Sequence, residues 1–224
     1  MEENYFTKYG DSSGGPLNDI CEKFRLKTRK NSIPVIALQG KHKINSPDEL
    51  AAAIDEHYEE NKRCWCGIVG KGTMEMLSQK LHDAQHTQEG LAILSEKGDV
   101  PWDLETCRHL TYNLFAVNSF KGKLVEDAAL ERFRNHISWK YLVEKTSEDM
   151  DCGSGVDLVV KVRETKEIIK GIQIKPQSYF HMKRAYVKRA VKAAQETVDF
   201  PVVDLVYNDE GDFVNFLAVV SDYV

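Results

Sequence analysis

Three polar residues in the C-terminal half have types and spacing that could carry out chemistry: Asp157, Gln173 and Lys175. A carboxylate, a second oxygen ligand and an ammonium group suit a hard divalent cation and an anionic substrate. Asp157 and the Gln173 amide oxygen could hold Mg²⁺, which lowers the pKa of a bound water and neutralises charge on a phosphoryl oxygen. Lys175 could orient the attacking water or stabilise a pentavalent phosphorane. The three residues therefore predict phosphate chemistry if the fold brings them together.

Alternating hydrophobicity predicts the strands that position these residues. Every even-numbered residue of the segment 156–162 is apolar, and the same holds for the segment 168–175 with the exception of Lys170. Such period-two patterns are typical of strands with one face in the core. The polar residues between the segments predict a hairpin centred on Thr165, in which the numbers of cross-strand partners add up to 330, twice 165.

This register brings the three polar residues to the open end of the hairpin. Asp157 lies opposite Gln173, with about 4.5–5.5 Å between directly opposed Cβ atoms, and Lys175 lies two residues further along the same face. That face is the one turned away from the core. The alternative interpretation is a surface hairpin whose charged residues form salt bridges and carry out no chemistry.

The N-terminal half is predicted to be helical. Ser46 and Glu49 have the spacing of a capping box, which predicts a helix that ends near Asn61. Between residues 73 and 136 the apolar spacing is also helical. A short apolar run at 33–38 predicts an isolated strand. Breaks between the helices of the segment 73–136 are expected at Gly90, at Gly98–Pro101 and near Gly122.

After Gly153-Ser154-Gly155 the hydrophobic period changes to two. Before this turn, the last helix is expected to continue through residues 139–144. The order of elements is then strand, strand, helix, strand, strand, which indicates an α+β fold with a sheet that is largely antiparallel at its start. The strands are placed at 156–162, 168–175, 201–207 and 213–220, and the helix, which is basic and amphipathic, near 182–197.

The distribution of charge favours a polyanionic partner. The formal net charge is −5, yet the segments 23–43 and 175–192 hold seven and six basic residues, respectively, and no acid. Such segments favour a DNA-binding surface, whereas the alternative is two solvated faces. A stripe of charges on helix 182–197 could track one phosphate strand, although this helix must also cover the sheet. The expected DNA contacts are Lys27, Arg29, Lys30, Lys183 and Arg189, together with the stripe, Arg184, Lys188 and Lys192.

On these residues the chain resembles the PD-(D/E)XK nuclease superfamily. Its signature is an Asp near one strand start and a (D/E)-x-K triplet near the end of the next strand, and here Gly155-Val156-Asp157 is followed by Gln173-Ile174-Lys175. Val156 in place of Pro is a minor variation. Gln173 in place of an acid removes a negative charge from the metal site, although a Q-x-K variant occurs among active members. The segment 171–180, with the basic helix after it, is similar to MjaI-type type II restriction endonucleases.

The resemblance implies a fold and an activity. A mainly helical region, 1–124, would serve DNA recognition and dimerisation, and a restriction-endonuclease-like mixed sheet flanked by helices, 125–224, would be the catalytic core. The activity would be Mg²⁺-dependent hydrolysis of double-stranded DNA by a homodimeric type II enzyme with Asp157, Gln173 and Lys175 as catalytic residues. Palindromic sites match the two-fold symmetry of such a dimer. The alternatives are a repair or junction-resolving nuclease of the same fold and a DNA-binding module that has lost catalysis.

A metal site with Gln173 in place of an acid needs another carboxylate, because hard divalent cations are normally held by several carboxylates or by substrate phosphates. Glu144 precedes the Gly-rich turn into the Asp157 strand and is the first candidate for this metal ligand. Glu131 is the second candidate.

Two further motifs point to other chemistry. Cysteine and histidine pairs suggest zinc, but their spacing is irregular. The segment 67–73 suggests a phosphate loop, but it departs from that motif, and a turn with Thr73 as a helix N-cap is the simpler interpretation. The residues of the zinc hypothesis are Cys64, Cys66, His82, His86, Cys107 and His109.

Composition also indicates where the protein works. The 224 residues include five cysteines, an odd number, and the N-terminus has no secretory signal pattern. No apolar run approaches the roughly 20 residues that a bilayer crossing needs. We therefore expect reduced thiols, no membrane span and a cytoplasmic location.

Overall fold

The computed structural model describes two compact units, Met1–Lys121 and Gly122–Val224. The sequence placed this division after residue 124. The residues described are 4–10, 14–26, 38, 43–60, 72–147, 150, 154–181, 192 and 195–224. Among them, no helix is both long and apolar enough to cross a membrane.

The N-terminal unit is helical where it is described. The predicted capping box is present, because the Ser46 hydroxyl accepts a hydrogen bond from the Glu49 N–H at 3.1 Å and the Glu49 carboxylate accepts one from the Asn45 N–H at 2.6 Å. The elements are α1 (Tyr5–Tyr9), α2 (Gly15–Lys23), α3 (Pro47–Glu60), α4 (Met74–Gln85), α5 (Gln88–Glu96), α6 (Leu104–Tyr112) and a π-helical turn (Asn113–Val117).

The helix break predicted at Gly90 lies a few residues earlier, between α4 and α5, and the one predicted near Gly122 is wrong. The break at Gly98–Pro101 is confirmed between α5 and α6. Gly90, however, lies inside α5, where a Cβ atom would lie 2.0 Å from the Ala84 carbonyl oxygen, so the glycine allows close packing and does not end the helix. Gly122 also lies inside a helix. Of the predicted strand 33–38, only Leu38 is described, and it is helical and buried.

The C-terminal unit is built on a four-stranded mixed sheet with the strand order β1-β2-β3-β4. The first three strands are antiparallel, and β4 runs parallel to β3. This confirms the α+β prediction of a mixed sheet flanked by helices. The elements are α7 (Asn118–His136), β1 (Tyr141–Lys145), β2 (Leu158–Val162), β3 (Ile168–Pro176), α8 (Ser178–His181), β4 (Val202–Tyr207), α9 (Phe216–Val220) and a 3₁₀ turn (Ser221–Tyr223).

The predicted hairpin register is confirmed near the open end. Leu158 pairs with Ile172 and Val160 with Lys170, so partner numbers add up to 330. The register shifts after Val160, which lets Lys161 pair with Ile168. Such an irregularity places one extra residue on one strand and leaves the pairing on either side intact.

Two predicted elements are wrong. Residues 139–144 do not continue a helix, because Tyr141–Lys145 form β1 and pair with the outer edge of β2. Residues 213–220 do not form a strand. Phe213 makes a single bridge to Tyr207, and a helix follows in which Phe216, Val219 and Val220 are buried at helical spacing. Short apolar runs do not distinguish strand from helix by hydrophobicity alone.

The core of the C-terminal unit lies on the sheet face that the alternation predicted. Leu158 and Val160 of β2 and Ile172 of β3 are fully buried in it. Helix α7 contributes Val125, Ala129 and Phe133 to the same cluster. The odd-numbered residues of β3 point to the opposite face, where the candidate site lies.

Candidate active site

Asp157 lies immediately before β2, and its carboxylate is tied to β3. Its N–H donates to the Ile172 carbonyl at 3.0 Å, and its own carbonyl accepts from the Thr146 N–H at 3.2 Å. The carboxylate oxygen Oδ2 accepts a hydrogen bond from the Ile174 N–H at 2.5 Å. The peptide that carries this N–H joins Gln173 to Ile174, so Asp157 and Gln173 are neighbours, as the register predicted.

Gln173 is 1% exposed, and both polar atoms of its side chain are hydrogen-bonded. Its Nε2 donates to the Gly155 carbonyl at 2.5 Å, and its Oε1 accepts from Gln195 Nε2 at 2.8 Å. An amide oxygen has two lone pairs. The bond from Gln195 uses one lone pair of Oε1, and the other remains available. Gln173 thus faces away from the core, as predicted, but Gly155 and Gln195 cover it.

Lys175 follows on the same face of β3 and is half-buried. Its Nζ lies 5.5 Å from the centroid of the Tyr179 ring, within the range of a cation–π interaction. Tyr179 belongs to α8, which begins directly after β3. The ring holds the ammonium group near the end of the strand.

Asp204 is the site residue that sequence reasoning missed. It is the β4 partner of Gln173 in the parallel pairing, and partners in neighbouring strands share a face of the sheet. Burial raises the pKa of the half-buried Asp204 carboxyl, and the nearby Lys175 ammonium acts in the opposite direction. The sequence did contain a signal for Asp204, because it is a single acid within an otherwise apolar predicted strand. Its neighbour across the sheet was not predictable, because parallel strands are joined by a long crossover.

Asn215 fixes the backbone around Asp204. Its Nδ2 donates to the Asp204 carbonyl and its Oδ1 accepts from the Val206 N–H, both at 2.8 Å. The Val214 N–H also donates to the Val206 carbonyl, at 2.9 Å. These bonds occupy the outer edge of β4, which would otherwise present unpaired backbone groups.

Glu144, the predicted additional metal ligand, lies elsewhere on the sheet. It sits in β1 opposite Val159, and its Oε2 accepts from Lys161 Nζ at 2.6 Å. The Lys161 ammonium holds the pKa of the Glu144 carboxyl below its ordinary value. Glu131 is exposed on α7. The structure therefore places Asp204, and neither glutamate, in the strand position beside Gln173.

The donors at this end of the sheet fit Mg²⁺ in their chemistry, because two carboxylates and an amide supply only oxygen atoms. Within the described ranges, no three His, Cys, Asp or Glu side chains come close enough together to hold a metal ion. A site here therefore depends on the Gln173 amide in addition to Asp157 and Asp204.

The residues of the zinc hypothesis have other surroundings. Cys107 is fully buried and accepts a hydrogen bond from Gln85 Nε2 at 3.2 Å. His82 and His86 contact each other edge to face, and the His109 ring packs on Phe6. Cys64 and Cys66 lie outside the described residues.

The N-terminus of α4 is occupied by protein groups. The Thr73 hydroxyl accepts from the Met76 N–H at 3.3 Å, which confirms Thr73 as the N-cap. The Asp55 carboxylate accepts from the Met74 N–H at 2.7 Å. A carboxylate in this position repels a phosphate, so the segment 67–73, of which 67–71 are outside the described residues, gains no support as a phosphate loop.

Most of the predicted DNA contacts lie outside the described residues. Lys192 is helical and exposed, and Gln195 is helical as well, as expected for the end of helix 182–197. The others, Lys27, Arg29, Lys30, Lys183, Arg184, Lys188 and Arg189, are not among the described residues.

We compared the chain with models of protein families, with curated proteins and with solved structures. No family model matches it, and neither of the other two comparisons found a significant match. The chemistry of the site therefore has to be argued from its own residues.

Proposed function

We propose that the chain is a Mg²⁺-dependent endonuclease that hydrolyses phosphodiester bonds of double-stranded DNA, as a homodimeric, site-specific enzyme of the type II restriction class. The observation that carries this proposal is the hydrogen bond from the Ile174 N–H to the Asp157 carboxylate. It joins an Asp at one strand start to a Gln-x-Lys triplet near the end of the next strand. That is the arrangement for which the chain resembles the PD-(D/E)XK superfamily.

In this proposal the three residues fill two roles, metal binding and charge stabilisation. Asp157 and Gln173 would hold Mg²⁺, which supplies an activated water and neutralises charge on the phosphoryl oxygens when it is bound. The Gln173 amide cannot rotate without losing its bonds to Gly155 and Gln195, so its Oε1 is held in one direction. The Lys175 ammonium has three donors that can orient the attacking water or stabilise negative charge on the pentavalent phosphorane.

Charge supports DNA as the partner. The segment 175–192 leads directly out of β3 and holds six basic residues without an acid, on a chain whose net charge is −5. A positive segment that follows Lys175 in the chain attracts the phosphate backbone without regard to sequence. We propose that the region 1–124 supplies base recognition and part of the dimer interface.

One observation favours a second candidate, a DNA-binding module without catalysis. Both polar atoms of the Gln173 side chain already bond to protein groups, and the amide carries no charge. A buried glutamine whose Oε1 and Nε2 both bond to protein groups can serve the fold alone.

Incubation of the full chain with supercoiled plasmid and Mg²⁺, with EDTA as the control, tests the proposal. Discrete linear fragments are the expected result. Nicking that depends on DNA structure would replace the restriction activity by a repair or junction-resolving activity. Retarded migration without any cleavage, at protein concentrations that saturate the plasmid, would overturn the endonuclease and leave the binding module.

A further inference from the structure

We infer that Asp204 supplies the negative charge that Gln173 lacks and is the second carboxylate ligand of the metal ion in the proposed active site. This inference rests on the proposed function, because it presupposes the metal ion. It replaces Glu144 in the role that the sequence assigned to it.

The sheet register carries the first step. Asp204 is the direct partner of Gln173 on β4, and Asp157 contacts the Gln173–Ile174 peptide from the side of β2. Neighbouring strands lie about 4.8 Å apart, within reach of side chains that share a face. In the sheet register, Gln173 therefore lies between two acidic residues, Asp157 just before β2 and Asp204 in β4, which carry the charge that a neutral amide cannot supply to a divalent cation.

The surroundings of Asp204 carry the second step. It is the only acid of β4, between Val202, Val203, Leu205 and Val206, and it is half-buried. A partly buried carboxylate costs stability unless a cation or hydrogen bonds compensate for it. Lys175 is the charged group of the proposed site that acts on it. A half-buried acid on which a candidate catalytic lysine acts is a candidate functional residue.

Glu144 is less suitable on two counts. Its carboxylate already pairs with Lys161 at 2.6 Å. Glu144 pairs with Val159, which lies two residues beyond Asp157 in the direction of the hairpin turn. Because a strand rises about 3.3 Å per residue, this places Glu144 about 7 Å from the level of Asp157. Asn215, by contrast, holds the Asp204 carbonyl and the Val206 N–H, so the backbone that presents Asp204 is fixed.

Mn²⁺ titration calorimetry of the full chain tests the inference. Asp204→Asn should weaken Mn²⁺ binding about tenfold or more. Two control variants each remove one carboxylate away from the site: Glu144→Gln on β1 and Asp209→Asn in the exposed turn after β4. Both should keep the Mn²⁺ affinity within about twofold of the wild-type value. Asp204→Glu keeps the charge and should restore part of the lost affinity. Wild-type Mn²⁺ affinity in Asp204→Asn, or no Mn²⁺ binding by the wild-type chain, overturns the inference.

A thermal melt without metal separates a ligand from a structural residue. A neutral amide costs less to bury than a carboxylate, so Asp204→Asn should not melt below the wild-type chain. A clearly lower melting temperature would show that Asp204 serves the fold. If the amide introduced by Asp204→Asn disturbs the packing, the Mn²⁺ titration is repeated with Asp204→Ser.

The two proposals fail in different ways. Weaker Mn²⁺ binding by Asp204→Asn together with a wild-type chain that does not cleave DNA would support the metal ligand and reject the endonuclease. Plasmid cleavage by the wild-type chain together with unchanged Mn²⁺ binding by Asp204→Asn would reject the ligand and keep the endonuclease.

Discussion

Two groups of polar residues in the β2–β3 hairpin are bound in different ways. Toward the turn, the side chains of Lys161 and Glu144 form an ion pair at 2.6 Å. At the open end, the side chains of Asp157 and Gln173 bond to backbone groups of Ile174 and Gly155. Exposed ion pairs contribute about 0–1 kcal/mol, whereas a buried polar group that loses its partner costs about 1–3 kcal/mol. The bonds of Gln173 at the open end are therefore expected to contribute more to stability than the Lys161–Glu144 pair.

The largest difference is expected in cleavage. Lys175→Ala should slow DNA cleavage about 10²–10³-fold, because it removes the charge that stabilises the phosphorane. Lys161→Ala, at the turn end, should cleave like the wild-type chain. Asp157→Asn keeps an acceptor for the Ile174 N–H and removes the charge, so it should abolish cleavage while DNA binding in Ca²⁺ persists. Plasmid cleavage rates and gel shifts measure both effects, and equal rates for Lys175→Ala and Lys161→Ala would remove Lys175 from the site.

Gln173→Glu should lower stability and raise the response to metal. A carboxylate cannot donate to the Gly155 carbonyl, so the apo protein should lose about 1–3 kcal/mol. The added charge should tighten metal binding, so Mg²⁺ should stabilise this variant more than the wild-type chain. Thermal melts with and without Mg²⁺ measure both effects. An equal Mg²⁺ response in the two proteins would exclude Gln173 as a ligand, and retained cleavage by the variant would agree with the role proposed for it.

The salt dependence of DNA binding compares basic residues that follow β3 in the chain with basic residues near the hairpin turn. Neutralising Arg184, Lys188 and Lys192 together should flatten the log–log salt slope by up to about three units, because each phosphate contact releases counterions. Neutralising Lys140, Lys161 and Lys166 near the turn should leave the slope unchanged. The slope comes from binding titrations at several salt concentrations. A wild-type slope in the variant of Arg184, Lys188 and Lys192 would leave the predicted helix 182–197 only the role of a cover for the sheet.

The smallest effect is expected for the Glu144–Lys161 pair. Lys161 lowers the pKa of the Glu144 carboxyl, so the pair stabilises the fold above the ordinary pKa of 4.5 and loses that contribution as the pH falls through the lowered value. Glu144 is 46% exposed, so solvent screening limits its contribution to below about 1 kcal/mol. The free energies of unfolding in urea of the wild-type chain and Glu144→Gln should differ slightly at pH 7, and the difference should shrink as the pH falls below 4.5. A difference that grows in acid would show that Lys161 is not the cause.

The sequence by itself determined the parts of this protein that depend on local patterns. The alternation of 156–162 and 168–175 is set by which face enters the core, and it fixed the register that joins Asp157 to Gln173. The Ser46–Glu49 capping box and the Thr73 cap act within one helical turn, so they were predictable as well. Short apolar runs were not, because 139–144 and 213–220 fit strand and helix equally well in hydrophobicity.

Only the tertiary structure decided which residues surround the site. Asp204 lies 31 positions beyond Gln173 in the chain, and the parallel crossover that pairs them has no local signal. The bond from Gln195 to Gln173 and the burial of Gln173 depend on the same crossover. Pairing with β2 also placed Glu144 in a strand, where Lys161 binds its carboxylate. Long-range pairing depends on the packing of the whole sheet, so the local residue pattern cannot specify it.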